Sequence, residues 1–207
     1  MQFDRVSLDD EAEVLRHQVR DFIEDNRAHL PKPNSDFVTG HDPEFSQKLG
    51  EHGWIGMTWP TDVGGSDKTN FERLVVTEEL LAAGAPVSAH WIADRQSGPL
   101  LLRFGTEEQR AKYLPGIARG ESYFSIGMSE PDTGSDLASV RTTATAEGDA
   151  YRINGTKIWT TDAHRNHYII CLVRTEAPSE NRHAGFSQII VDLKNDGAKV
   201  RPIRNMA

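Results

Sequence analysis

The sequence is 207 residues long, room for one large domain or two small ones. Its 31 acidic and 23 basic side chains leave a formal charge of −8, which argues against non-specific nucleic-acid binding but not against a phosphate-bearing ligand held by backbone amides. One cysteine, Cys171, excludes an intrachain disulfide, and no apolar run has the length of a signal core or a membrane span, so a soluble, cytoplasmic protein is expected.

The first half reads as helices. Ser7 can cap a helix in which Leu8, Ala12, Leu15, Val19 and Phe22 share one face, and Pro31 and Pro33 end it. Asp42-Pro43 opens a second, with Phe45 and Leu49 inward and Gly53 as its stop. Residues 54–68 are rich in Gly, Pro and Asp and read as a loop. A third helix carries the stripe Phe71, Leu74, Val75, Glu78 and Leu81. A fourth runs over 91–103 to Gly105, and Thr106 with Gln109 forms a capping box for a fifth that ends near Gly120.

After Gly120 the period becomes two. Over residues 123–129, Phe124, Ile126 and Met128 alternate with Ser125, Gly127 and Ser129, which predicts a strand with one buried face. Residues 140–146 form a threonine-rich strand turned by Gly148-Asp149. The Asn154-Gly155 pair predicts a hairpin of 151–153 against 156–161. Residues 168–175, 186–192 and 198–203 add three strands, with polar loop over 175–185. The expected class is α+β: a helical domain over 1–121, then an antiparallel, barrel-like β domain over 122–207. A strand at the very end would leave a sheet edge uncovered, so the β domain reads as incomplete and the chain as a fragment.

Two stretches carry chemistry. Ser129-Glu130-Pro131-Asp132-Thr133-Gly134-Ser135-Asp136 is a hydroxyl-rich loop leaving a strand. Asn154-Gly155-Thr156-Lys157-Ile158-Trp159-Thr160-Thr161 presents an indole beside two hydroxyls. Such a loop can bind phosphate and bond the edge of a ring, and the tryptophan can stack on it, so a flat aromatic cofactor with a phosphate tail, flavin above all, fits the pair. Each segment alone also suits a plain turn or a cross-strand aromatic, and Lys157 reads as a solvated strand residue. Two histidines, His164 and His167, are too few to make a metal site, and none is expected here. Cys171, within Tyr168-Ile169-Ile170-Cys171-Leu172-Val173, reads as a small buried hydrophobe.

These segments, with Gly98-Pro99, Phe104-Gly105-Thr106-Glu107-Glu108-Gln109, Lys112-Tyr113-Leu114-Pro115 and Val200-Arg201-Pro202-Ile203, resemble the acyl-CoA dehydrogenase family in order and spacing. The resemblance implies a helical N-terminal domain, a middle β domain and a C-terminal four-helix domain, the last missing here. It implies FAD and the α,β-dehydrogenation of an acyl-CoA thioester, with a proton leaving Cα and a hydride passing from Cβ to flavin N5. By match to the motif, Ser129 would bond the pyrimidine side of the ring, Ile126 and Met128 would line it, Trp159 and Thr160 would pack beside it, and Thr161 would reach N5. Gly134 would let the backbone approach, and Ser135 would bond the pyrophosphate or the substrate's pantetheine arm. His90, Trp91 and Arg95 stand where the family lines the acyl pocket, with packing or a surface role as the alternative. The catalytic carboxylate is expected beyond residue 207, so none is assigned, and the 207 residues alone are expected to bind FAD weakly and not to turn over. An electron-transfer flavoprotein as acceptor and a homotetramer are the family's implications. Same-fold flavin oxidases and monooxygenases, or a non-catalytic partner subunit, are the alternatives.

Overall fold

The first helix begins where its cap allows. Asp9 takes the amide of Ala12 on its carboxylate (2.8 Å), and α1 runs over Asp10–Asp25 with Ala12, Leu15, Val19, Phe22 and Ile23 buried. The computed structural model describes residues 9–32, 38, 40–177 and 179–203, so the predicted Ser7 cap, Leu8 and Pro33 lie outside the described residues. The chain divides into two compact units between Ser122 and Tyr123.

In the helical unit Asp42 caps α2 (Pro43–Glu51) through the Phe45 amide, burying Phe45, Ser46 and Leu49. Thr69 and Glu72 form a reciprocal capping box on α3 (Asn70–Ala82), as Thr106 and Gln109 do on α6 (Glu107–Ala118). Thr69→Ala is expected to cost about 1 kcal/mol in urea unfolding.

The predicted inner stripe of α3 is corrected. Phe71 and Leu74 are 57% and 54% exposed, while Glu72, Val75, Val76, Glu79 and Leu80 face inward. Carboxylates occupy the inner stripe because each is paired. Glu79 accepts from Arg16 at 2.5 Å and from Arg20 at 2.8 and 3.0 Å, both on α1, and Glu72 meets Lys68 at 2.8 Å.

The predicted fourth helix begins earlier and is broken by a widened turn. Helix α4 (Ser88–Ile92) passes through a π turn at Ala93–Ser97 into α5 (Gly98–Phe104).

The second unit holds a five-stranded sheet: β1 (Phe124–Gly127), β2 (Thr143–Glu147), β3 (Ala150–Asn154), β4 (Tyr168–Arg174) and β5 (Phe186–Asp192). The order is β1-β4-β2-β3, with β5 also on β4. The α+β class holds, but the sheet is mixed rather than all-antiparallel. β4 pairs parallel with β1 (Phe124↔Tyr168 to Gly127↔Cys171) and with β2 at Thr143↔Arg174. The long excursion between β1 and β4 supplies the crossover that parallel pairing needs. Ala144, Ile169, Cys171 and Val173 form its core. Burial raises the Cys171 thiol to about 11, so this cysteine is an inert core residue.

Three predicted strands change. Gly148-Asp149, not Asn154-Gly155, makes the hairpin, which pairs Thr143–Glu147 with Ala150–Asn154. Residues 156–161 are not a strand: Trp159 has φ 58°, a left-handed value that a ladder does not accept, and the segment binds the Ser129 loop instead. Residues 198–203 have no ladder partner among the described residues. The strand predicted over 140–146 is preceded by a tight turn at Leu137–Ser139, so it starts only at Thr143.

Candidate functional site

Strand β1 lies at an end of the sheet order, and both motif segments gather beside it. Alternation assigns Ser125 to the outward face, but it is fully buried, and its hydroxyl donates to Thr161 O at 2.8 Å. Asn166 locks the same face, donating to Phe124 O at 3.0 Å and Ser125 Oγ at 2.9 Å. Alternation does not hold here because Thr161 and Asn166 bond the face it assigns to solvent.

Beyond β1 the loop closes on itself. Glu130 and Thr133 exchange backbone bonds at 2.8 and 3.0 Å around Pro131. Asp136 receives Ser139 Oγ at 2.6 Å and Arg182 at 2.6 and 2.7 Å on the exposed outer side. The Ile158 amide then donates to Ser129 O at 2.9 Å, tying the second motif to the first.

Beneath this tie lies a buried ion pair. Lys157 Nζ stands 2.9 Å from Glu130 Oε1, with the two side chains 8% and 6% exposed. The solvated-strand reading of Lys157 is corrected: its stem crosses β1 at Gly127, where a Cβ would meet Ile169 Cδ1 at 2.7 Å and Lys157 Cγ at 3.2 Å. Glu130 also accepts the amides of Arg141 (2.8 Å) and Thr142 (3.0 Å) and the Thr142 hydroxyl (2.5 Å). Burial alone would raise its pKa. The bonds from the Thr142 hydroxyl, the Arg141 amide, Lys157 and the Thr142 amide outweigh burial and hold it at about 2.

The residues proposed to meet a cofactor surround this tie. Ile126, Met128, Ser129, Thr160 and Thr161 are half-buried. Trp159 is 71% exposed, an unusual state for an indole, on a backbone twisted to positive φ. Thr160 Oγ1 is buried and bonds nothing among the described residues. A buried orphan hydroxyl beside an exposed indole fits a ring with acceptor atoms at its edge. Gly134 and Ser135 are exposed, and a Cβ at Gly134 would meet nothing, so no contact within the described chain requires glycine there.

In the helical unit, His90, Trp91 and Arg95 line one small cavity of about 10 Å³, the size of a single water. His90 turns into the core and meets Ser46 Oγ through Nδ1 at 2.9 Å. Arg95 lies over Trp91 at 5.0 Å, pairs with Asp94 at 2.8 Å and donates to Thr77 at 2.5 Å.

Sequence reasoning missed Ser125, Asn166, and Glu130 with Lys157 as a pair. Only the last left a signal, opposite charges in two motifs that already belonged together.

A helical unit followed by a sheet unit, with these two motifs joined at the sheet, defines a known class. The acyl-CoA dehydrogenase N-terminal domain matches residues 9–121 and the middle domain of the same enzymes matches residues 125–207. The chain belongs to the acyl-CoA dehydrogenase family. It is similar to the acyl-CoA dehydrogenase FadE26 of Mycobacterium tuberculosis, with 34% identity over 98% of this chain and 52% of that protein. Among solved structures it resembles the ChsE4-ChsE5 complex from the same organism, with TM-score 0.82 and 34% identity over 98% of this chain and 52% of that one. It also resembles a glutaryl-CoA dehydrogenase from Mycobacterium smegmatis in complex with FADH2, with TM-score 0.75 and 25% identity over 95% of this chain and 49% of that one. The chain spans about half the length of the curated relatives it matches. Among the described residues no helix is long and apolar enough to cross a membrane.

Proposed function

We propose that these residues form the flavin-holding part of an FAD-dependent enzyme that desaturates an acyl-CoA thioester between Cα and Cβ. The observation that carries the reading is the tie of Ser129 to Ile158, which sets an exposed Trp159 and an orphan Thr160 hydroxyl beside β1. The relative solved with FADH2 supports the choice of cofactor. Bound FAD would supply a two-electron acceptor for the Cβ hydride. Ser129 would donate to the pyrimidine side of the ring, where negative charge collects on reduction. Thr160 and Thr161 would bond its edge, Trp159 would cover it and exclude water, and Ile126 and Met128 would line it. Gly134 and Ser135 would serve the pyrophosphate or the pantetheine arm, whereas the cavity at His90, Trp91 and Arg95 has room for one water and no acyl chain, which favours packing roles for these three.

Glu130 is not the base: four hydrogen bonds engage its carboxylate, and one partner is a lysine. The base would come from outside these 207 residues. An electron-transfer flavoprotein as acceptor and a homotetramer complete the proposal. A non-catalytic partner subunit is the alternative reading.

The test is FAD binding by the protein purified from its native host, followed by anaerobic addition of an acyl-CoA panel. Bleaching of the flavin by one thioester is expected. Thr160→Val is expected to weaken FAD binding about tenfold, since one bonded hydroxyl contributes about 1.4 kcal/mol. The 207 residues alone are expected to hold FAD weakly. A native protein that takes up no FAD sinks the enzyme reading and leaves the partner-subunit one.

A further inference from the structure

Lys157 binds both neighbours of Ser129. Its ammonium donates to Met128 O at 3.1 Å and to Glu130 Oε1 at 2.9 Å. Ile158, the next residue, donates its amide to Ser129 O at 2.9 Å. Three consecutive residues of the loop are thus held by two consecutive residues of the other segment. Trp159 follows at once, with φ 58°, a conformation a bulky side chain keeps only where its surroundings impose it. On the far side Glu130 is anchored to Arg141 and Thr142, at the start of the β2–β3 hairpin.

A buried ion pair is a poor device for stability alone. Desolvation offsets much of the attraction, and apolar replacements of both partners are often neutral. Fixing one geometry is a better-attested use of such a pair.

We infer that Glu130 and Lys157 are positioning residues that set the distance and orientation between Ser129 and the Trp159–Thr161 segment. The inference rests on the flavin reading for its consequence, the shape of the ring-binding edge, but its first test needs no flavin. Neither residue touches the ring or the substrate in this account; both act through the residues they hold.

The experiment compares the wild-type protein with the Glu130→Gln/Lys157→Met double variant, which removes both charges and keeps similar volumes. Amide hydrogen exchange is read at Ile158 and across β4. The expected result is exchange at Ile158 at least tenfold faster with β4 protection unchanged. In the same variant FAD binding weakens about tenfold, and the visible circular dichroism of any flavin still bound changes. Unchanged exchange at Ile158 in a folded double variant overturns the inference.

If the double variant does not fold, Glu130→Gln alone is read in the same way, because it keeps the size of the side chain and an acceptor for Thr142. Loss of β4 protection in both variants also overturns the inference, since the pair would then support the whole sheet and not one junction. A wild-type protein that binds no FAD but shows the expected exchange pattern would retire the flavin reading and leave the positional role standing.

Discussion

Trp59→Ala is expected to destabilise the helical unit by about 4 kcal/mol, a large share of the 5–15 kcal/mol that holds a typical domain. The indole is 2% exposed although its residue sits in an irregular segment. Its carbonyl accepts the Asp67 amide at 3.0 Å and its own amide donates to Gly56 O at 2.9 Å, so the backbone around it is fixed. The ring fits against Gly98, the first residue of α5, where any Cβ would overlap the six-membered ring. Removing the ring leaves a cavity that a helix start and a bonded loop cannot collapse into. Gly98→Ala is expected to cost several kcal/mol for the opposite reason, overpacking. The two changes should not add: Trp59→Ala makes room for the new methyl group, so the double variant is expected to lie close to Trp59→Ala alone. Urea unfolding followed by helical circular dichroism measures all three. A Trp59→Ala loss below 1 kcal/mol, or strictly additive changes, would show that the ring is not the packing centre of this segment.

The same residue shows where the sequence stops being readable. Residues 54–68 carry the composition of a loop and form one, yet they insert a core tryptophan. Composition reports backbone conformation there, whereas burial depends on α5, forty residues away in the chain. Two helix starts were legible because capping is local: Asp42 and Thr106 each bond an amide within three residues. The inward face of α3 was not legible. Its phase turns on Glu79, which reads as a surface residue until Arg16 and Arg20 of another helix are brought to it.

At the candidate site, the chemical types were legible and their arrangement was not. Asn154-Gly155 is the stronger hairpin signal, but Gly148-Asp149 forms the turn. Residues 156–161 are drawn away by Lys157, whose partner Glu130 lies 27 positions earlier. No local pattern encodes that pairing. It needs Gly127 to let the lysine stem cross β1, and it places the left-handed Trp159 where an ordinary strand would have run. Local propensity loses at this point, as expected where a chain keeps strain for a purpose.

Below pH 6.5 the helical unit is expected to lose up to about 1.4 kcal/mol of stability per pH unit because of His90. Burial first, and the nearby Arg95 charge second, lower its imidazole to about 3. The folded value therefore lies below the unfolded one. Between about 3 and 6.5 the unfolded chain binds a proton that the folded chain refuses, so stability rises with pH across this window. The contribution is complete above 6.5 and lost as pH falls. Glu72 and Glu79 have lowered values, so what they contribute is lost only below the ordinary carboxylate range. Asp94, raised by burial against the opposing pull of Arg95, acts in the other direction: it gains relative stability as pH falls through its shifted range. The slope of the wild-type protein alone is therefore a mixture. Comparison with His90→Gln separates it, because Asp94 is present in both and glutamine can still bond Ser46, the partner of His90 at 2.9 Å. Between pH 6.5 and 4.5 the wild type is expected to lose about 2.3 kcal/mol more than the variant, because the slope is only half its maximum at pH 6.5. Equal slopes would mean that His90 takes up a proton in the folded state, and that the Ser46 contact opens to water well before the helices unfold.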